Sequence, residues 1–401
     1  MTHIFSRALR GLIVLAALIA ALIAASCTPL PPKPEPTPPP VKPPAGPEAA
    51  LYQEVGFDAL PGWPQASLAT SLRAFLVGCG RPPTPLLVAC ELAALVPGGD
   101  EAAARRFFES QFTAYALRSS TSGDIGLLTG YYEPIIDGAR LRDTDNRYPI
   151  YGVPEDLIVV DLATVNPDVR NMRLRGRLEG RRLVPYWSRA EIEAREPLSA
   201  PVIAWTSDPV ELFFLQIQGS GQIRLPDGER MRIGYADQNG HPFRSLGRYL
   251  VERGEMTLDQ ASMQTIKAWA AANPQKLRDA LNVNPSYVFF REVKGQEGPI
   301  GAQSVPLTAG YSLAVDRRFV ALGTPVYLAT NVPLSEERLE RLMVAQDTGG
   351  AIRGVVRGDF YWGSGPDAGA QAGRMRNQAK MWLLWPRDLP LPRDPSSTSC
   401  C

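Results

Sequence analysis

The sequence predicts a mainly β protein with minor α content, a barrel or sandwich rather than a doubly wound sheet. Three observations carry this. Short apolar runs separated by glycine turns fill the C-terminal quarter: Tyr311 to Val315, Val326 to Ala329, Leu342 to Ala345 and Met381 to Leu384. Two runs flank Pro226-Asp227-Gly228 in the manner of a hairpin, Gln222 to Leu225 and Arg230 to Tyr235. Helical periodicity is confined to limited stretches, and no internal repeat is visible, so strands dominate the architecture.

The elements follow in chain order. Arg7 and Arg10 precede an apolar run from Gly11 to Ala25. That run is shorter than the ~20 residues of a membrane-spanning helix. It ends in Ala24-Ala25-Ser26-Cys27, the layout of an export signal over 1–27. Cys27 after small residues resembles a bacterial lipobox, with Ala24 where leucine is usual, so lipidation of Cys27 is expected. Thr28 in place of aspartate after it points to the outer membrane by lipoprotein sorting rules. Eleven of the 21 residues from Cys27 to Pro47 are proline. Residues 28–50 therefore read as a stalk tending to polyproline II.

From Leu51 to about Leu117 the pattern is mainly helical, with Asp100 placed to cap a helix bearing Phe108, Phe112 and Tyr115 on one side. Leu127 to Pro134 reads as a strand entering a turn, and Glu211 to Gln218 as a further strand. Thr257 to Gln260 fits a capping box ahead of an apolar stripe of Met263, Ile266 and Ala270, which Asn273-Pro274 interrupts. Residues 391–401 form a polar tail ending in Cys400 and Cys401. In an oxidising compartment Cys79 and Cys90 are able to pair.

Composition narrows the chemistry. A net charge of +1 proposes no nucleic-acid partner. There are two histidines, His3 in the export segment and His241 in a loop. One remaining histidine without clustered cysteines does not build a typical zinc site, and no nucleophile motif accompanies it. No metal or cofactor is expected, and the chemistry falls to carboxylates, hydroxyls and amides.

The densest candidate stretch runs from Ala345 to Gly354 and from Arg357 to Gly363. Asp347 and Asp359 lie twelve positions apart, each beside glycines at a strand end. Tyr361 and Trp362 offer flat faces of the kind sugar rings stack on. Aromatic neighbours also desolvate a carboxyl and raise its pKa, as a general acid near neutral pH requires. Other roles stay open at this point: an Asx turn at Asp347, core packing for Tyr361 and Trp362, and Glu133, beside Tyr131 and Tyr132, as a competing second carboxylate.

The C-terminal stretch resembles the signature of the membrane-bound lytic murein transglycosylase A family. Leu128 to Pro134, Phe214 to Gly221, Asn284 to Phe290 and Val305 to Thr308 resemble its other motifs, in order. The resemblance spans about 50–388. It implies a double-psi β-barrel from 51–134 and 286–390, a smaller β domain inserted over 135–285, and a glycan groove between them. It implies one catalytic carboxylate, Asp359, with Asp347 supporting it. Thr129, Tyr131, Gln216, Gln218 and Ser220 become candidates to bind sugar, and Gly219 and Gly221 to let the chain approach it. The implied partner is the peptidoglycan glycan strand, and the implied reaction forms 1,6-anhydromuramic ends. A two-carboxylate hydrolase and a non-catalytic peptidoglycan-binding lipoprotein are the alternatives, and association with cell-wall synthesis proteins is left open.

Overall fold

The computed structural model describes residues 48–392, except 163, 166–173, 196–197 and 296–297. The expected export signal, Cys27, the proline stalk to Pro47, and the tail with Cys400 and Cys401 lie outside the described residues. The chain opens with β1 (Ala50–Val55), β2 (Phe112–Ser119) and β3 (Gly126–Glu133). Then come β4 (Ile135–Ala139), β5 (Tyr148–Tyr151), β6 (Ile158–Val159), β7 (Arg175–Glu179), β8 (Arg182–Pro185), β9 (Val202–Thr206), β10 (Ser220–Arg224), β11 (Arg230–Gln238) and β12 (Val288–Glu292). It finishes with β13 (Ser312–Val315), β14 (Pro325–Asn331), β15 (Arg338–Asp347), β16 (Arg357–Ser364) and β17 (Arg376–Pro386).

The first sheet has the order β1-β2-β17-β14-β15-β13-β16-β3, and β3 pairs again with β17. That last pairing closes β3, β17, β14, β15, β13 and β16 into a ring, which removes the exposed edges of an open sheet. Two of its pairs are parallel, β13 with β15 and β16 with β3. The mainly β class expected from sequence is the one observed, and the closed ring agrees with the double-psi barrel that the resemblance implied.

Alternation along the strands sets the barrel core. Leu313 and Val315 point inward with Leu128, Val326, Leu328, Met343, Phe360, Met381 and Leu383, all buried. Ala314, between them, points outward. The outer face of β15 and β17 is covered by the helices Leu68–Gly78 and Glu101–Gln111, through Phe75, Phe107 and Phe108 together with Phe112 on β2. Cys79 and Cys90 form a disulfide at the end of the first of these helices. Replacing both by serine reopens a short loop, and an unfolding free energy lower by about 3 kcal/mol is expected from chain entropy. Denaturant melts of the two forms measure it.

The second sheet, β12-β11-β10-β4-β9-β5, and a three-stranded sheet, β6-β7-β8, are built from the middle of the chain. The hairpin β10–β11 is the one read around Pro226-Asp227-Gly228. The chain passes from the first sheet to the second at Pro134. It returns only after β12, which pairs with β11, so the second sheet runs beyond the expected limit at residue 285.

Four local expectations are corrected. Asp100 caps its helix by accepting from the Ala103 amide at 2.8 Å, but the helix ends at Gln111. Phe112 and Tyr115 lie on β2, whose two-residue alternation is fixed by pairing with β1 and β17. Residues 50–55 are likewise strand, so 51–117 is less helical than read. Glu211 to Gln218 is helix, not strand. Asp208 accepts from the Val210 and Glu211 amides at 2.7 and 3.2 Å, Pro209 occupies the first turn, and Gly219 ends the helix at φ 79°. An apolar run buried on nearly all sides carries no period to separate the two. Finally, Thr257 to Gln260 forms a turn closed by the Thr257 amide on Gln260 Oε1, and the helix Met263–Ala272 is capped instead by Ser262. Its apolar stripe and its break at Pro274 are as read.

Candidate active site

Strand register assembles the site on the outer face of the barrel. Ala314 of β13 lies opposite Asp347 of β15 on one side and Asp359 of β16 on the other. Asp359 lies opposite Thr129 of β3. The result is one row across four strands: Asp347, Ala314, Asp359, Thr129. With strands about 4.8 Å apart, the two aspartate backbones stand about 10 Å from each other. Simple alternation would turn Asp347 inward, because Met343 and Ala345 face the barrel core. The pairing slips by one residue between Leu313 and Ala314. This bulge re-aims Asp347 to the outer face.

Asp359 Oδ1 accepts from Thr129 Oγ1 at 2.7 Å, and Thr129 Oγ1 accepts from Arg357 Nη2 at 2.8 Å. Arg357 stands two residues before Asp359 and so shares its face. Sequence reading assigned Arg357 no role; its two-residue spacing from Asp359 on a strand was the available signal. Surrounding protein desolvates Asp359 and pushes its pKa up to about 6. The Arg357 charge and the Thr129 hydrogen bond pull it down, and the Asp347 charge adds to the rise. Burial lowers the pKa of the Arg357 guanidinium. Asp347 Oδ1 accepts from the Ala302 and Thr348 amides at 3.0 and 2.9 Å. It therefore both anchors the 300–302 loop and faces the acid.

Tyr131 and Tyr361 join this face in the next row, with ring centroids 5.2 Å apart. Both are buried, which raises their pKa values. Beyond burial, the Asp347 and Asp359 charges and a hydrogen bond to the Asp347 carboxylate add to the rise at Tyr131.

The other expected site residues lie elsewhere. Trp362 points to the opposite face, 4.7 Å from the Phe360 ring, with its indole N–H on Met375. It is packing, not an open platform beside Asp359, and buried Tyr361 is no exposed platform either. Gln216 is buried within its helix. Gln218 Oε1 accepts from the Tyr132 amide at 3.1 Å, bracing β3 beside Tyr131. Gly219 is the helix terminus. Ser220 begins β10 opposite Gly234. A Cβ at Gly221 would meet the Leu215 side chain at 2.3 Å, so tight packing accounts for that glycine. His241 Nε2 sits 2.7 Å from the Tyr186 carbonyl, as a loop residue.

Glu133, the competing carboxylate, is fully buried. It accepts from Arg232 Nε at 2.8 Å, Gln222 Nε2 at 2.7 Å and Ser364 Oγ at 2.5 Å. Sequence reading missed Arg232 and Ser364. No group of three or more potential metal ligands occurs among the described residues.

Residues 127–291 match the family described as MltA specific insert domain, and 311–385 match the 3D domain. The chain is 34% identical over 297 residues to membrane-bound lytic murein transglycosylase A of Escherichia coli K12, covering 72% of each. It is similar to the crystal structure of MltA from Neisseria gonorrhoeae, at 39% identity and TM-score 0.74, covering 85% of this chain and 94% of that one. It is also similar to E. coli MltA with bound chitohexaose, at 27% identity and TM-score 0.60, covering 85% and 92%. Identity of this extent, joined to the matched domains and the shared fold, means that the chain belongs to the membrane-bound lytic murein transglycosylase A family.

Proposed function

We propose that this protein is a peptidoglycan lytic transglycosylase with Asp359 as its single catalytic acid and base. The observation that carries the reading is a desolvated carboxyl, its pKa raised to about 6, set beside Thr129 and Arg357 on the outer face of the barrel. A glycan as ligand is supported by the E. coli relative solved with chitohexaose.

In this mechanism protonated Asp359 donates to the glycosidic oxygen between N-acetylmuramic acid and N-acetylglucosamine. The C–O bond breaks, and the anomeric carbon gains oxocarbenium character. The muramic 6-hydroxyl then bonds to that carbon, and the Asp359 carboxylate takes its proton. The product is a 1,6-anhydro ring, and no water is consumed. An intramolecular nucleophile has a high effective concentration, so the protein's tasks are holding the ring and excluding water. Thr129 orients the carboxyl, and the Asp347 charge keeps it protonated to higher pH. Of the candidate sugar-binding residues, Tyr131 is assigned to the glycan side of the site, whereas Gln218 and Ser220 serve the packing of the second sheet beside it.

A two-carboxylate hydrolase needs a second free carboxylate. Glu133 does not fit that role, because its oxygens are taken up by Arg232, Gln222 and Ser364. We further assign the closed barrel to a catalytic domain and the second sheet to an inserted domain. Lipidated Cys27 would hold both at the outer membrane, facing the periplasm.

Product analysis tests the reaction. A soluble form beginning near Pro47 is incubated with purified sacculi and the fragments are weighed by mass spectrometry. Fragments lighter by one water than hydrolysed muropeptides, with no reducing muramic end, are expected. Reducing ends would mean hydrolysis and overturn the single-acid reading. Sacculi bound but left intact would leave only the binding lipoprotein.

A further inference from the structure

We infer that Glu133 is a positioning residue: with Arg232, Gln222 and Ser364 it clamps the second sheet to the strand that carries Asp359, and so fixes the glycan groove. The inference rests on the glycan reading above.

Glu133 ends β3 of the barrel. Arg232 comes from β11 and Gln222 from β10, both in the second sheet, while Ser364 ends β16, five residues after Asp359. One carboxylate therefore ties both sheets together. Backbone bonds reinforce the junction on each side. The Gly365 amide donates to the Glu133 carbonyl at 2.9 Å, and the Gln222 amide to the Pro134 carbonyl at 2.8 Å. The clamp also reaches toward the acid. Ser364 Oγ lies 3.5 Å from the Tyr361 hydroxyl, and Tyr361 stacks near Tyr131 in the row next to Asp359.

A buried ion pair is a poor way to gain stability, because desolvation offsets most of the Coulomb attraction, and apolar packing of equal volume often does as well. What it does supply is selection of a single arrangement. Apolar side chains at this junction would tolerate sliding between the sheets. A carboxylate that must meet three directional donors would not. Its charge is matched by Arg232 and its acceptors are filled. Its oxygens are turned to these donors and away from any ligand, and its effect on the reaction runs through the relative placement of the two sheets.

The test separates placement from chemistry and from folding. Ser364→Ala cuts the β16 arm, Ser364→Thr keeps the hydroxyl, and Glu133→Gln weakens the hold on Arg232. For Ser364→Ala we expect KM on soluble glycan strands to rise about tenfold, the loss of one charge-assisted hydrogen bond. We expect kcat to stay within about twofold, and the alkaline limb of the pH profile to stay in place; Ser364→Thr restores KM. Hydrogen exchange should quicken in segments 130–136 and 220–235 of Glu133→Gln, while 380–385 in the barrel stays protected. Unchanged KM in both Ser364→Ala and Glu133→Gln would overturn the inference. So would a displaced pH limb, or exchange that quickens evenly through the barrel. Local quickening in a protein whose wild type cleaves no glycan would count against the glycan reading and leave the clamp in place.

Discussion

Asp359→Asn should abolish cleavage of sacculi and, at neutral pH, make the protein more stable. The amide keeps the shape and still accepts from Thr129, but it carries no proton to give. Loss of a positioned general acid costs about 10²- to 10⁴-fold in rate, and in the proposed mechanism the same group also serves as the base. The stability gain follows from the sign of the pKa shift. Burial raises the Asp359 pKa from 3.8 to about 6, so the folded state holds its proton more tightly than the unfolded chain. Below about pH 4 both states are protonated and the site costs nothing. As pH rises through 4 to 6 the unfolded chain releases the proton first, and above 6 the folded protein carries a desolvated charge. A shift of about two units corresponds to at most about 3 kcal/mol, and the partial exposure of the site reduces that. Asparagine removes the penalty, so the melting temperature should rise by several degrees near pH 7.5 and by little near pH 4. Melts of both proteins across that range decide it. An unchanged or lowered melting temperature near pH 7.5 would mean that the environment of Asp359 does not disfavour its charge.

The carboxylate at the centre of the candidate site was visible in the sequence because its signal is local. Asp359 sits in a dense run of glycine and aromatic residues, and the strands around it alternate cleanly. The row it belongs to was not legible. Asp347 reaches the outer face through a bulge, and a one-residue slip in pairing leaves no mark in the sequence. Trp362 was misread for a related reason. Adjacent strand residues face opposite ways, so Asp359 and Trp362, three apart, are on opposite faces. Glu211 to Gln218 failed differently: a run buried on nearly all sides has no polar face to reveal its period, and the caps at Asp208 and Gly219 were the only cue. Arg357, Arg232 and Ser364 were passed over because their roles depend on partners from distant strands. The barrel itself was legible as short strands, whereas its closure rests on β17 pairing with both β14 and β3, a long-range fact.

Neutralising the two charges that flank Asp359 should move its titration in opposite directions. Asp347 raises the Asp359 pKa and Arg357 lowers it. For Asp347, about 10 Å away by backbone and at an effective dielectric near 20, the charge contributes about 1.7 kcal/mol, or roughly one pKa unit. Arg357 lies nearer, one hydroxyl away through Thr129, and its charge is the larger of the two influences. The proposed mechanism requires protonated Asp359, so the alkaline limb of the rate profile should lie near pH 6 in the wild type. Asp347→Asn should carry that limb to lower pH, with activity near pH 7.5 reduced about tenfold. The asparagine oxygen can still accept from the Ala302 and Thr348 amides, so the loop should hold and the acidic plateau should change little. Arg357→Met keeps an aliphatic stem but drops the charge, and should carry the limb to higher pH. It also removes a donor to Thr129, so its plateau should fall even as its limb moves up. The double variant returns the limb toward that of the wild type, because the two contributions are of opposite sign. Rate–pH profiles of the four proteins read this directly. Limbs that move together, or not at all, would show that Asp359 is not the group whose proton governs the reaction.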